Sequence, residues 1–197
     1  PPPPPRNTPT SAPPTPPKKP NIKTEPTVKK ASDQPEADFE LLDRQDIYTF
    51  KDTYHWHVKT SLRRKILTYK GKKDFAELKL NYAPVRESVK LNYARVINGD
   101  KVQEISEQEK NLMDASWVAG APKYDPTKIL VCSLPGVEIG SIIEYEYEMD
   151  CTGTWPNQSS FILQDYAHVV HRRLVVNVPE NLPLYAKYHP GGWLVKT

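Results

Sequence analysis

Cysteine is scarce: only Cys132 and Cys151 occur in 197 residues. Two thiols exclude a disulfide scaffold and a four-cysteine zinc site. No run approaches 18 consecutive apolar residues, so no helix is expected to span a membrane. There is no collagen period and no heptad, and no long helical period separates the apolar segments. No charged n-region leads into an apolar h-region, so no signal peptide is visible. The start at Pro1, inside a proline run, is what a cut through a longer polypeptide would give. Strong charge is lacking too: 27 basic and 24 acidic residues leave +3. So balanced a chain sets up no field for nucleic acid or a membrane surface.

Proline is abundant, and unevenly so. Residues 1–35 hold 13 of the 21 prolines, with six basic and two acidic residues. The other 162 residues keep eight prolines and 21 basic against 22 acidic side chains, so the basicity belongs to the tail. Proline fixes φ and offers no amide hydrogen, so neither helix nor sheet runs through such a segment. Its apolar residues, Ala12, Ile22, Val28 and Ala31, are too few to offset chain entropy. Residues 1–35 therefore read as an extended, semi-rigid linker. A polyproline ligand for an aromatic groove is the functional alternative. The domain proper is expected over residues 36–197.

From Asp38 onward the pattern is that of strands. Phe39–Phe50 and Tyr54–Leu67 are two, joined by an Asp52-Thr53 turn. Gly71 breaks the chain, and Asp74–Glu77 could form a helical turn. Leu78–Tyr82 and Val89–Ile97 follow; Asn98-Gly99 then marks a hairpin into Lys101–Ile105, because both residues tolerate positive φ. Residues 106–127 look irregular, anchored by Trp117 and Tyr124. Lys128–Ser133 pairs through the connector Leu134–Gly140 with Ser141–Met149, which would set Cys132 opposite Ile143. In that strand Ile143, Tyr145, Tyr147 and Met149 share one face, and Glu144, Glu146 and Glu148 the other. Phe161–Gln164 and His168–Val178 complete the set. Many short strands with turn signals predict an all-β fold, an antiparallel β-sandwich.

The segment order resembles a known family. Arg64-Lys65-Ile66-Leu67 with Gly71, then Tyr93-Ala94-Arg95 with Gly99 and Lys101-Val102, carry the likeness. Leu134-Pro135-Gly136-Val137 with Gly140-Ser141-Ile142-Ile143-Glu144-Tyr145 is its most specific part. The chain is similar, over about Phe39 to Tyr188, to the bacterial domain of unknown function, family 3857 (DUF3857). The resemblance implies a sandwich like the N-terminal domain of zinc aminopeptidases. It also implies a non-catalytic accessory domain N-terminal to a transglutaminase-like, papain-like Cys-His-Asp core, in secreted or periplasmic, multidomain proteins. The core would be its partner within one polypeptide. The family's last strands and that core are expected after Thr197, which would make this domain truncated at its C-terminal end.

Candidate chemistry can be weighed from the residues. Cys132 could be a nucleophile with His168 or His171 as base. It lies in an apolar run, Leu130-Val131-Cys132, where a small buried residue is the plainer reading. Cys151 is placed too far along the next strand to bridge it. His55 and His57 flank Trp56 and could chelate zinc, but no third ligand is identifiable. The glutamate row offers a line where calcium needs convergent oxygens; cross-strand cations such as Arg63 or Arg173 are its expected partners. The Leu134–Gly140 glycines match no phosphate-loop spacing. Basic residues do not cluster with stacking aromatics, so no nucleic-acid partner is expected. No catalytic residue, metal ligand or cofactor is assigned. The alternative to an accessory domain is an independent protein- or glycan-binding module using Trp56, Trp155 and Trp193.

Overall fold

Period-two patterning folds most of the described residues into strands. The computed structural model describes residues 37–115, 126–153, 160–163 and 165–185. The chain divides into two units, Pro1–Asp33 and Gln34–Thr197, and every described residue lies in the second. The expected linker at 1–35 therefore falls outside the described residues. In chain order the elements are β1 (Phe39–Phe50), β2 (His55–Ile66), α1 (Tyr69–Asp74), β3 (Glu77–Tyr82), β4 (Glu87–Asn98) and β5 (Lys101–Glu104). A 3-10 turn, Glu107–Glu109, leads to β6 (Lys110–Asp114), β7 (Lys128–Ser133), β8 (Ile142–Thr152) and β9 (Arg172–Asn177).

The strands make two sheets, six-stranded β5-β4-β8-β2-β1-β9 and three-stranded β3-β7-β6. The fold is all-β, a sandwich with its core between the sheets. Leu78, Leu80 and Cys132 of the smaller sheet meet Leu91, Val96 and Ile143 of the larger. Ile66, Val96, Cys132 and Ile143 are at most 2% exposed. A second cluster, Phe39, Leu41 and Leu62, is covered by Ala167 from the segment ahead of β9. That segment runs along β1: Leu41 N donates to His168 O at 2.9 Å, Val170 N to Leu41 O at 2.9 Å and Arg44 N to His171 O at 3.1 Å.

The turns show why the chain reverses where it does. Asp52 Oδ1 accepts from Tyr54 N at 2.7 Å and His55 N at 2.8 Å, so the β1–β2 turn is held by a side chain. At the β4–β5 hairpin the two-residue loop is Gly99-Asp100, one residue later than the Asn98-Gly99 signal suggests. Only Gly99 has positive φ (58°), the pattern of a II′ turn rather than I′. Asn98 is the last residue of β4, and its amide donates to Gly136 O at 2.8 Å while its carbonyl accepts from Ser141 Oγ. It ties the hairpin to the loop between the sheets.

Several expectations need correction. Gly71 does not break the chain; it lies inside α1, which Thr68 caps by accepting from Gly71 N at 3.0 Å. A Cβ there would lie 2.2 Å from Asp38 O, so glycine is required by close approach of two backbones. The helix is accordingly at Tyr69–Asp74, not Asp74–Glu77. Residues 106–127 are not wholly irregular, since they contain β6; Trp117 and Tyr124 lie outside the described residues. The connector Leu134–Gly140 does not close a hairpin. It carries the chain from one sheet to the other, so Cys132 stands opposite Leu78 and Lys110 instead of Ile143. Strand β9 runs parallel to β1, an exception to the antiparallel rule. Of Phe161–Gln164, the described residues 161–163 form no strand.

Candidate functional site

Strand register brings an unusual residue to the core. Opposite residues of neighbouring antiparallel strands share a face. Arg64 on β2 is paired with Leu41 on one side and Ile143 on the other, so it points with them. A guanidinium in that position loses hydration. Its carbon Cζ lies 4.5 Å from the Phe39 ring centroid and 4.0 Å from that of Phe75, a double cation–π contact. Its Nε is buried with no hydrogen-bond partner, and among the described residues the guanidinium forms no ion pair. Burial pulls the Arg64 pKa down and the like charge of Arg44 adds to that shift, while Tyr145 and the Asp165 carboxylate oppose it.

Arg64 lines a cleft of about 590 Å³ between α1–β3 and the large sheet, with Phe75, Leu78, Leu134, Ile143 and Tyr145 as apolar and aromatic wall. Both carboxylates at the rim lie near a lysine, and Lys70 also reaches Asp38 at 2.5 Å. Asp74 lies 3.4 Å from Lys70 Nζ and Glu77 lies 2.9 Å from Lys79 Nζ. Lys73 is on the same rim, its Nζ 4.9 Å from the Tyr69 ring centroid, with no carboxylate partner among the described residues. The cleft lining thus carries net positive charge, Arg64, Lys73 and Lys79 against Asp74 and Glu77.

Further along the same face, charge is balanced. Arg44 Nε donates to Asp46 Oδ2 at 2.8 Å and Nη2 to Oδ1 at 3.2 Å, with Thr60 Oγ1 donating to Oδ1 at 3.0 Å. Asp46 is 8% exposed, and this fork is satisfied on the acid's side. Arg172 of β9 stands beside Arg44, its Nε also buried without a partner.

The residues singled out in the sequence fall elsewhere. Cys132 is fully buried, and burial raises its pKa; the charges acting on it are those of Lys110 and Glu107, not a histidine. His168 and His171 instead meet Glu40 and Asp43 of β1. Cys151 is a free buried thiol, pushed up to about 11 by burial, with Glu87 and Asp150 adding. His55 and His57 turn to different acids, Asp52 and Asp150, each at 2.9 Å. Among the described residues no three histidines, cysteines or acids could hold a metal ion. The glutamate row is half-buried: the side chains of Glu144, Glu146 and Glu148 are 19%, 20% and 29% exposed. Lys59 reaches Glu146 at 2.9 Å, and Arg95 reaches Glu144 at 3.0 Å, in place of Arg63 and Arg173. Asn92, the extra residue of a β-bulge in β4, donates to Glu146 and Glu148 at 2.9 and 3.0 Å. Trp56 is half-buried, stacked on Phe50 at 6.2 Å between centroids; Trp155 and Trp193 lie outside the described residues.

The Arg64 cleft was missed as a site, although a signal existed. Val58, Thr60, Leu62, Arg64 and Ile66 alternate along β2, and an arginine interrupts an otherwise core-facing series.

The model of the family described as "Domain of Unknown Function with solved-structure structure (DUF3857)" matches residues 52–195. No curated protein matches the sequence. Among solved structures, a crystal structure named "putative protease" from Parabacteroides distasonis superposes with a TM-score of 0.66 at 18% identity. The match covers 74% of this chain and 30% of that one, so the chain spans less than a third of the other's length. A CBM3a-L domain from a Clostridium thermocellum scaffoldin gives a TM-score of 0.34 at 9% identity, over 66% of this chain and 83% of that one, and carries no argument.

Proposed function

The chain belongs to the DUF3857 family, and on that premise we propose that it is a non-catalytic accessory sandwich attached N-terminally to a transglutaminase-like Cys-His-Asp core. In this reading it packs on the core or presents protein substrate to it, in a secreted or periplasmic multidomain protein. The observation that carries the reading is the partial coverage of the Parabacteroides structure: a chain of this fold fills 30% of a larger protein named "putative protease". The thiols support it from the other side. A transglutaminase-like nucleophile needs a depressed pKa and a histidine within reach. Cys132 and Cys151 are both buried, with pKa values shifted upward.

The test compares this chain with a longer polypeptide that adds the catalytic core. The chain alone is expected to hydrolyse no amide and to cross-link no glutamine to lysine. The longer protein is expected to be active and to remain so with Cys132→Ala. Loss of activity in that variant, with its circular dichroism unchanged, would place the active site in this domain and end the accessory reading.

A further inference from the structure

We propose that the Arg64 cleft binds a carboxylate carried by a peptide, the side chain of an aspartate or glutamate whose carbon stem lies on the apolar wall. Three observations lead there. Phe39 and Phe75, edge-to-face with each other at 5.1 Å, lie together on one side of the Arg64 guanidinium, and its buried Nε has no hydrogen-bond partner. The N–H donors of the guanidinium form a planar fork that matches a carboxylate. Charge accounting is the second. The lining holds Arg64, Lys73 and Lys79 against Asp74 and Glu77, a net positive cleft in which Arg64 forms no ion pair among the described residues and Asp165 acts on it only at longer range. An arginine held in a dehydrated place with no acid in contact is costly, and an incoming carboxylate offsets part of that cost. The third is the wall. Phe75 and Tyr145, both half-buried, offer the carbon stem of an acid an aromatic surface, which an inorganic anion could not use. The volume of about 590 Å³ admits a few side chains rather than a whole folded partner. This inference does not depend on the attached core, since it concerns the chain by itself.

The experiment uses the 197-residue chain labelled with 15N-arginine and follows the Arg64 Nε–Hε resonance. The probe is acetyl-Leu-Glu-Leu-amide. Its addition is expected to move that resonance to saturation. The peptide with Gln in place of Glu, and inorganic phosphate, are each expected to bind at least about tenfold more weakly. Arg64→Met should abolish binding, followed by tyrosine fluorescence or calorimetry. Lys73→Ala, an exposed rim change that leaves the core alone, should weaken it by about threefold. An unresponsive Arg64 resonance, equal affinity for the Gln peptide, or binding retained in Arg64→Met would overturn the proposal. Phosphate binding as tightly as the Glu peptide would overturn it too, since the site would then take any anion.

Discussion

The inner face of the six-stranded sheet has two unlike halves. Over β4 and β8 it is aliphatic: Leu91, Val96 and Ile143 meet Leu78, Leu80 and Cys132, and no charged side chain enters the cluster. From β2 outward to β9 the same face carries Arg64, Arg44, Asp46 and Arg172 beside Phe39 and Leu41. One strand period generates both halves. The difference lies in what covers them. A second sheet lies on the first half and excludes water from it. A helix and an irregular segment flank the second, where rings and one acid partly compensate the cations. Burial of apolar area stabilises the first half, at about 25 cal/mol per Å². Charge in the second half contributes little net stability and fixes geometry instead.

The comparison can be broken at its strongest point first. Ile143→Ala should cost about 4 kcal/mol by urea denaturation, because a fully buried residue leaves a cavity between two sheets. A cost under about 1 kcal/mol would mean the aliphatic half is not the cooperative core. Gly71→Ala should come next, at about 3 kcal/mol, since the new methyl meets the Asp38 carbonyl and pushes α1 off the rim of the cleft. Normal stability there would show that the two backbones separate freely.

The third effect is one of pH. The folded pKa of Cys151 is raised from 9.0 to about 11, so its neutral form is favoured in the native state. A group raised in this way contributes stability that is full below pH 9.0 and is lost as pH climbs towards about 11. Chemical-denaturant midpoints should therefore fall over that window, and Cys151→Ala should flatten the fall. A slope identical in the variant would assign the loss to other groups.

The smallest expected effect is the sharpest contrast. Arg64→Met should leave stability within about 1 kcal/mol of the parent, or raise it, because an apolar side chain of similar length replaces an unpaired, dehydrated cation. A loss above about 2 kcal/mol would show that the cation–π contacts with Phe39 and Phe75 hold the fold together. The arginine would then be structural, and the two halves would be stabilised alike.

Much of this was open to sequence reasoning. Alternation placed most strands within a few residues, and Asp52 marked its turn correctly. The ordered motifs around Leu134-Pro135-Gly136-Val137 identified the family. Reading failed where a residue's neighbour is distant in the chain. Gly71 looked like a breaker because Asp38, which forbids it a side chain, comes much earlier. Leu134–Gly140 looked like a hairpin turn because nothing local distinguishes a turn within one sheet from a crossing between two. Arg64 was quoted as a motif residue, but its partners Phe39 and Phe75 lie on separate elements.

The sequence by itself determined the class of structure. Period-two alternation and polar turn residues commit a chain to strands through local sterics, and those act over a few residues. It also determined the rarity of thiol chemistry, since only two cysteines exist. Tertiary structure alone decided which strands pair, that β9 runs parallel to β1, and that β7 joins β3 and β6. Those choices depend on which apolar faces cover one another, a sum over residues far apart in the chain. The same sum left one arginine on the core side of a strand with two aromatic rings and no ion pair among the described residues. No local rule assigns that placement, because its energy comes from dehydration and from neighbours that only the folded chain assembles.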